Sequence, residues 1–379
     1  MRKNLFYSVI TFVVLFVASV SARASHLTGV DGSYVFIGDS AGIYHYRVML
    51  NIYQDLIDGD PTSIEQDNPA FIAVFDGLGN RIAMDSLSSM SAAIVTTDYD
   101  GPCLAIDSLV PVSISRRTFV KDYYLPASST GYNITYQRCC MNGGSVNVTG
   151  SEMLGISYCF HIPPSGVADQ NNSAVFVDFT PTVLPVDSAF LMDMSATDVD
   201  GDSLSYEICQ TYTGGNDADA KPLPMPPPFD TVAFIAPLTY HNPVTCAVPL
   251  AINAATGMLT GTPSTAGQYI FTICCHEWRS GILISTIQRE LEIKVTDCAS
   301  IAAFYATNAI HIFPNPATGV LSVEAKQLIT KVDIYNSYGY KTQEGVYDAH
   351  VVKINVSELP AGVYFIRTNG GHPQKFVKR

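Results

Sequence analysis

Hydrophobic and polar residues alternate in short runs along the first part of this chain of 379 residues. Residues 32–37 and 43–53 follow this period of two and flank residues 38–42 (Gly-Asp-Ser-Ala-Gly), whose composition is that of a hairpin turn. The same alternation predicts further strands at 70–75, 81–84, 132–138 and 155–162. No run here follows the period of an amphipathic helix, so residues 25–165 are predicted to form an N-terminal β domain.

A second series of alternating runs lies between about Asn171 and Cys298. The predicted strands are 174–179, 189–195, 204–209, 268–275, 282–286 and 290–295. The proline-rich segment 221–229 is excluded from a central strand because proline lacks the N–H that the ladder needs. Short strands separated by turns are typical of a β-sandwich, so residues 170–298 are predicted to be a second β domain. The fold class predicted for the whole chain is all-β and multidomain.

The N-terminus has the features of a signal peptide. Arg2 and Lys3 precede an apolar run at 5–20, and Ala22-Arg23-Ala24 has the small-x-small pattern of a signal-peptidase site. The alternative is a transmembrane anchor, but the run is interrupted by polar residues and is shorter than the ~20 apolar residues that a spanning helix needs. The sequence therefore predicts a signal peptide at 1–24, cleaved after Ala24. The sequence predicts no transmembrane segment in the chain that remains once the signal peptide is removed.

Acidic residues are concentrated in the middle of the chain. Residues 25–308 hold ten basic and twenty-nine acidic side chains, a net charge of −19. Nucleic acid and anionic lipid are themselves negatively charged, so neither is expected as a partner. Such a surface suits the binding of cations, or simply confers solubility.

The cysteines are expected to form disulfides, because a signal peptide leads to an oxidising compartment. No spacing typical of a zinc site is present. Neighbours in a strand point to opposite faces, so each member of the pairs 139–140 and 274–275 is expected to bond a different partner. Nine cysteines is an odd number, so one thiol is expected to stay free, and the connectivity is left open. The disulfide candidates are Cys103, Cys139, Cys140, Cys159, Cys209, Cys246, Cys274, Cys275 and Cys298.

One segment carries the strongest signal for a metal. Asp198, Asp200 and Asp202 alternate around Gly201, and three carboxylates bent round a glycine can converge on calcium, which prefers oxygen ligands. Asp193 and Glu207 are possible further ligands. The spacing does not fit an EF-hand, and the other interpretation is a solvated acidic turn. Calcium is the only cofactor that the sequence suggests.

Two other segments could suggest catalysis. Residues 38–42 match the G-x-S-x-G nucleophile elbow around Ser40, but an elbow needs a helix after it, and a strand is predicted instead. His276 and Glu277 are adjacent to the only tryptophan, Trp278. Adjacent residues of a strand project to opposite faces and do not make an acid–base couple. No catalytic residue is predicted. Tyrosine-rich strands at 123–124 and 132–136 are interpreted as sheet packing, with a sugar- or protein-binding face as the alternative.

The C-terminal seventy residues form a separate module. Its parts are 311–316 (His-Ile-Phe-Pro-Asn-Pro), 332–339 (Val-Asp-Ile-Tyr-Asn-Ser-Tyr-Gly), 359–367 (Leu-Pro-Ala-Gly-Val-Tyr-Phe-Ile-Arg) and 375–379 (Lys-Phe-Val-Lys-Arg). In this order they resemble the type A C-terminal sorting domain of the type IX secretion system of Bacteroidota. The resemblance implies a small β-sandwich at 309–379, preceded by a linker at 299–308. It also implies handling by the type IX secretion machinery and a location that is secreted or attached to the outer cell surface.

The middle of the chain resembles uncharacterised surface proteins of Bacteroidota. The residues that carry this resemblance are 25–29, 52–55, 131–142, 198–202 and 277–281. Residues 257–263 and 267–271 resemble the signature of Ig-like domains on bacterial surface proteins, so an Ig-like or cadherin-like fold is expected at 170–298. That family implies an exported, surface-associated protein and assigns no chemistry.

The sequence thus predicts an exported, non-enzymatic surface protein with an adhesive or structural role that binds an unknown glycan or protein. Two alternatives stay open: a secreted hydrolase, or a glycan- or ligand-binding module of a larger surface complex. The sequence identifies no ligand.

Overall fold

The computed structural model describes residues 26–95, 98–99, 112–179, 182–298, 310–336, 341–369 and 374–379. The predicted signal peptide at 1–24, its cleavage site at Ala24 and the linker at 299–308 lie outside them. The strands of the N-terminal part are β1 (Leu27–Ser40), β2 (Ile43–Asp55), β3 (Ala70–Asp76), β4 (Arg81–Leu87), β5 (Ser91–Val95), β6 (Asp98–Tyr99), β7 (Ile114–Pro126), β8 (Tyr132–Cys139) and β9 (Gly155–Ile162). A short helix, α1 (Pro61–Gln66), and one 3₁₀ turn (Ser151–Met153) lie between them.

The remaining strands continue in chain order. They are β10 (Val175–Phe176), β11 (Thr182–Pro185), β12 (Phe190–Asp193), β13 (Ala196–Thr197), β14 (Ser203–Cys209), β15 (Tyr212–Thr213), β16 (Asp230–Thr231), β17 (Cys246–Ile252), β18 (Met258–Pro263), β19 (Gly267–Arg279), β20 (Ile282–Thr296), β21 (Ile310–Phe313), β22 (Val320–Asn336), β23 (Lys341–Asn355), β24 (Gly362–Thr368) and β25 (Gln374–Lys378). The predicted strands 282–286 and 290–295 are one strand, β20, which continues through residues 287–289. The Arg289 side chain lies inside, on Asp31 of β1.

The larger compact unit comprises 26–98, 112–183 and 187–295 within the described residues. Its main sheet runs in the order β14-β19-β20-β1-β2-β7-β5, and a second sheet runs in the order β4-β3-β8-β9. Apolar side chains of β1, β2 and β7 form one core with those of β3, β8 and β9. The two sheets are therefore the layers of a β-sandwich, and the all-β fold class is as predicted.

Strands from both predicted domains lie in the same sheet. β1 pairs with β20 through Gly29↔Leu291 and Val30↔Glu290, so the predicted boundary at 165–170 falls inside one compact unit. Gly29 allows this pairing, because a Cβ there would lie 2.3 Å from the carbonyl oxygen of Glu290. Asp31 accepts hydrogen bonds from Arg289 on the same strand pair, which ties the N-terminal strand to β20 inside the core.

The disulfides differ from the predicted pattern in two ways. Cys139 and Cys140 bond to each other. Their side chains are not forced to opposite faces of a sheet, because β8 ends at Cys139 and Cys140 lies outside the strand. Cys274 and Cys275 do lie on opposite faces, but only Cys274 is bonded, to Cys209 in β14. Cys275 is a free thiol and lies opposite Tyr206 of β14, on the other face of the sheet from Cys209.

Two further disulfide candidates, Cys159 and Cys246, are also free thiols, where the sequence predicted one odd thiol. Neither faces another cysteine across its own sheet: Cys159 lies opposite Thr135 in β8, and Cys246 lies opposite Pro263 in β18. Cys298 is disulfide-bonded. Cys103 lies outside the described residues.

The C-terminal part has its own sheet, in the order β21-β22-β24-β25 with β23 also paired to β22. Alternate residues of these strands build a separate apolar core that includes Leu321, Ile334, Ile366 and Phe376. Among the described residues, no helix has the length and apolar character that crossing a membrane requires.

Candidate functional site

A pocket of about 570 Å³ opens on the larger unit. Part of its lining is one face of the β14-β19-β20 sheet. His276 pairs with Thr286 and Cys274 with Gln288 across β19 and β20, while Glu207 of β14 lies opposite Cys274. The full lining is Cys159, His161, Glu207, Cys209, Gln210, Tyr212, Pro227, Pro228, Phe229, Tyr240, His241, Cys274, His276, Thr286 and Gln288.

The sheet face supplies a chain of polar side chains. His276 Nε2 lies 3.1 Å from Glu207 Oε1, and His276 Nδ1 lies 2.9 Å from Thr286 Oγ1. The three residues come from three neighbouring strands, so no local sequence motif could predict that they meet. The imidazole is thereby held between a carboxylate and a hydroxyl, a geometry that could orient a ligand or polarise the hydroxyl.

The edges of the pocket are aromatic. Tyr212 and Phe229 pack edge to face with ring centroids 5.8 Å apart, and the rings of Tyr240 and His241 lie 3.8 Å apart. Phe229 ends the proline-rich segment 221–229, which the sequence analysis excluded from the strands. Apolar ring surface beside a few placed hydrogen-bonding groups is typical of small-ligand sites.

The cysteines that line this pocket do not provide a reactive thiolate. Cys209 and Cys274 are joined by a disulfide that fastens β14 to β19. Burial raises the pKa of the Cys159 thiol to about 12, so it is protonated at neutral pH and is a poor nucleophile. Burial also lowers the pKa of His161, which keeps its imidazole neutral.

The predicted calcium loop lies between β13 and β14. Oxygen atoms of Asp198, Asp200 and Asp202 lie within 4.8 Å of one another, as the alternation around Gly201 predicts. Arg279 of β19 already sits on them. Its Nε and Nη2 atoms lie 2.8 and 2.7 Å from the two carboxylate oxygens of Asp202, and Nη2 lies 3.2 Å from Asp200 Oδ2. Calcium would compete with this guanidinium, so calcium binding here stays a prediction.

The possible further ligands do not join this loop. Glu207 is in the pocket, on His276. Asp193 Oδ1 accepts the backbone N–H of Ser195 at 2.9 Å. Asp198 Oδ1 accepts the backbone N–H groups of Asp200 and Asp202 at 2.9 and 3.0 Å, which is the turn that the alternative interpretation expects.

The other segments singled out in the sequence have structural positions. β1 ends at Ser40 and β2 begins at Ile43, and the two turn residues Ala41 and Gly42 have φ of 53° and 78°. Two positive φ values are what a tight hairpin requires, so this segment is a hairpin and not an elbow.

His276 and Glu277 project to opposite faces, as predicted. Glu277 is fully buried and accepts hydrogen bonds from the Ala174 backbone and from Asn171. Trp278 donates to Ser205 Oγ at 2.9 Å. Tyr123, Tyr132 and Tyr136 are buried in the sheets, as their interpretation as sheet packing requires.

Tyr124 is 66 % exposed and stacks on His45. The sequence alone did not predict the pocket, because its lining comes from segments far apart in the chain. Of that lining, the sequence analysis named Glu207 as a possible calcium ligand, His276, the proline-rich segment 221–229, and the disulfide candidates Cys159, Cys209 and Cys274.

Comparison with known proteins identifies the C-terminal part only. No curated protein matches the chain. Among solved structures, titin domains A168–A170 align with 8% identity over 93% of this chain and 98% of that chain, at a TM-score of 0.20. The four N-terminal Ig domains of Dscam1 isoform 4.44 align with 9% identity over 92% of this chain and 74% of that chain, at a TM-score of 0.15. TM-scores this low do not establish a shared fold, so nothing about this chain is inferred from these proteins.

Residues 311–379 match the family model for the secretion system C-terminal sorting domain. This match agrees with the predicted module at 309–379, and its five-stranded sheet forms a core of its own. The domain marks proteins that the type IX secretion machinery exports. The chain therefore ends in a type IX C-terminal sorting domain, and the protein is exported and either secreted or attached to the cell surface.

Proposed function

We propose that this exported protein is a non-enzymatic adhesive protein that binds a carbohydrate in the pocket of its larger unit. The observation that carries the proposal is the composition of that pocket: aromatic rings at its edges and hydrogen-bonding side chains on a rigid sheet face. A volume of about 570 Å³ is in the range of small-ligand sites.

The pocket chemistry suits a sugar better than a purely apolar ligand. A pyranose ring presents an apolar face of C–H groups and a rim of hydroxyls. Tyr212 and Tyr240 offer amphipathic ring surface, while Gln288, His276 and Glu207 offer donors and acceptors. The acidic middle of the chain argues for a neutral or cationic glycan, because a polyanion would be repelled.

The Cys209–Cys274 disulfide supports binding by fixing the sheet face that carries these groups. A site that is already ordered loses less conformational entropy when the ligand arrives. The export route takes this site outside the cell, where an adhesive protein can meet glycans.

The test is binding of the chain without residues 1–24 to an immobilised glycan library. We expect saturable binding to a neutral or cationic glycan. Tyr240→Ala should lose this binding, whereas the matched control Tyr124→Ala, an exposed tyrosine outside the pocket, should keep it. Absence of any glycan binding, or equal loss in both variants, would contradict the proposal.

A second function is favoured by one observation, the Glu207–His276–Thr286 chain. In this chain the hydroxyl has the position of a nucleophile, the imidazole that of its general base, and the carboxylate that of the group that orients the base. In this alternative the protein is a secreted hydrolase with Thr286 as nucleophile. The simpler reading is that the three are polar neighbours across strands.

Thr286→Val separates the two functions, because it removes the hydroxyl and keeps the side-chain shape. A hydrolase would lose turnover of ester or glycoside substrates by several orders of magnitude, as triad variants do. A binding protein would show no turnover in either form and would keep the aromatic contribution to glycan affinity.

A further inference from the structure

A buried carboxylate and a half-buried one meet at one amide, away from the pocket and from the aspartate loop. Asp55 ends β2 and Glu292 lies in β20. Asn142 Nδ2 lies 2.9 Å from Asp55 Oδ2 and 3.4 Å from Glu292 Oε1. Asp55 is 7% exposed and Asn142 is 2% exposed. Among the described residues, no ion pair to a lysine, arginine or histidine involves either carboxylate.

Two oxygen atoms at this amide have no hydrogen-bond partner. They are Glu292 Oε2 and Asn142 Oδ1, and both atoms are buried. Buried polar atoms normally have partners, so two unpaired oxygens beside neighbouring carboxylates indicate that something else binds there.

The chemistry of these groups selects a cation. All the unpaired atoms are oxygens, and the two carboxylates lie close to each other, with Lys294 as a nearby positive charge that acts on Glu292. Two neighbouring carboxylates out of water are unfavourable unless a cation lies between them. Asp58 lies in the same loop as Asp55 and is a further carboxylate close enough to repel Glu292. Calcium takes carboxylate, amide and hydroxyl oxygens in a flexible arrangement, with water completing the shell.

We propose that Asp55, Asn142 and Glu292 form a calcium site. Rotation of the Asn142 amide by half a turn exchanges Nδ2 and Oδ1 and gives a set made only of oxygens. In the arrangement seen here, the NH₂ group faces both carboxylates; after the rotation, Oδ1 would face them and could share a cation with them. The ion would link β2, β20 and the segment after the Cys139–Cys140 disulfide.

The test is calcium titration of the chain without residues 1–24, first stripped with chelator, by calorimetry and by thermal melting. We expect a calcium-binding event that raises the melting temperature. Glu292→Gln, which keeps the size of the side chain, should lose this event. Asp200→Asn, in the aspartate loop, is the matched control and should keep it.

A second variant tests the role of the bridging amide. Asn142→Asp puts a third carboxylate into the site, so we expect a lower melting temperature without calcium and recovery when calcium is added. If Asn142 only bridges two carboxylates by hydrogen bonds, calcium will not restore the variant. The proposal is overturned if Glu292→Gln binds calcium as the wild type does, if Asp200→Asn alone abolishes binding, or if calcium does not bind.

Discussion

Adjacent residues of a strand lie in different environments in this protein, because their side chains project from opposite faces of the sheet. His276 contributes to the pocket while Glu277 is buried among Asn171 and the Ala174 backbone. Cys274 is bonded to Cys209 while Cys275 lies under Tyr206. The face of each residue could be predicted from alternation. Alternation could not predict which of the two cysteines forms a disulfide, because that depends on the strand that lies opposite.

The three free thiols give a test of this assignment. Burial raises the pKa of Cys159 and of Cys275 to about 12, so both should resist alkylation in the folded protein at pH 8. In urea without reductant, Cys159, Cys246 and Cys275 should all be labelled, and Cys139, Cys140, Cys209 and Cys274 should not. Peptide mapping by mass spectrometry reads this directly. Labelling of Cys209 or Cys274, or rapid labelling of Cys159 in the folded chain, would contradict the structure.

Glu277 should make stability depend on pH. Burial raises its pKa from 4.5 to about 7, so between these values the folded state holds a proton that the unfolded state has lost. Stability from this group is therefore greatest below pH 4.5 and falls as the pH rises towards 7.

Comparison with Glu277→Gln isolates this effect. Urea unfolding of both proteins should show the wild type losing stability relative to the variant across the window. The relative loss is expected to be on the order of a few kcal/mol, at about 1.4 kcal/mol per pKa unit. A constant difference between the two proteins would show that Glu277 keeps its charge when the chain is folded.

At the scale of elements, strand positions followed from the sequence much better than strand partners did. The predicted strands 70–75, 132–138 and 155–162 agree within one residue with β3, β8 and β9, because half-buried strands must alternate. The pairing of β1 with β20 could not be predicted, since it joins residues more than 250 positions apart along the chain. For this reason the sequence could not show that the predicted boundary at 165–170 lies inside one compact unit.

The same distinction applies to the sites. The aspartate loop is local in sequence and was predicted, whereas the guanidinium that occupies it comes from β19 and was not. The pocket and the Asp55–Asn142–Glu292 group are built from distant segments, and periodicity carries no information about which segments meet.

The aspartate loop gives a prediction at the scale of this element. Arg279 and calcium compete for Asp202, so Arg279→Gln should strengthen calcium binding at the loop, and Asp200→Ala should weaken it. Calcium titration in a Glu292→Gln background separates this loop from the proposed buried site. If Arg279→Gln leaves calcium binding unchanged, the loop is an ordinary acidic turn.

At the scale of the whole molecule, the chain combines an export module with a larger unit that carries a pocket. The sorting domain at 311–379 has its own sheet and core, and the larger unit carries the pocket. The first fixes where the protein acts. The second is the basis for proposing what it does there, so the two can be tested separately in cells.

Adhesion of living cells tests the central claim most directly. A deletion strain is complemented with the wild-type chain, with Tyr240→Ala, or with Tyr124→Ala, and immunolabelling confirms that each reaches the outer surface. We predict that the wild type and Tyr124→Ala restore adhesion to a glycan-coated surface, whereas Tyr240→Ala is exported normally and adheres no better than the deletion strain. Equal adhesion by all three complemented strains, or no loss of adhesion on deletion, would contradict the account.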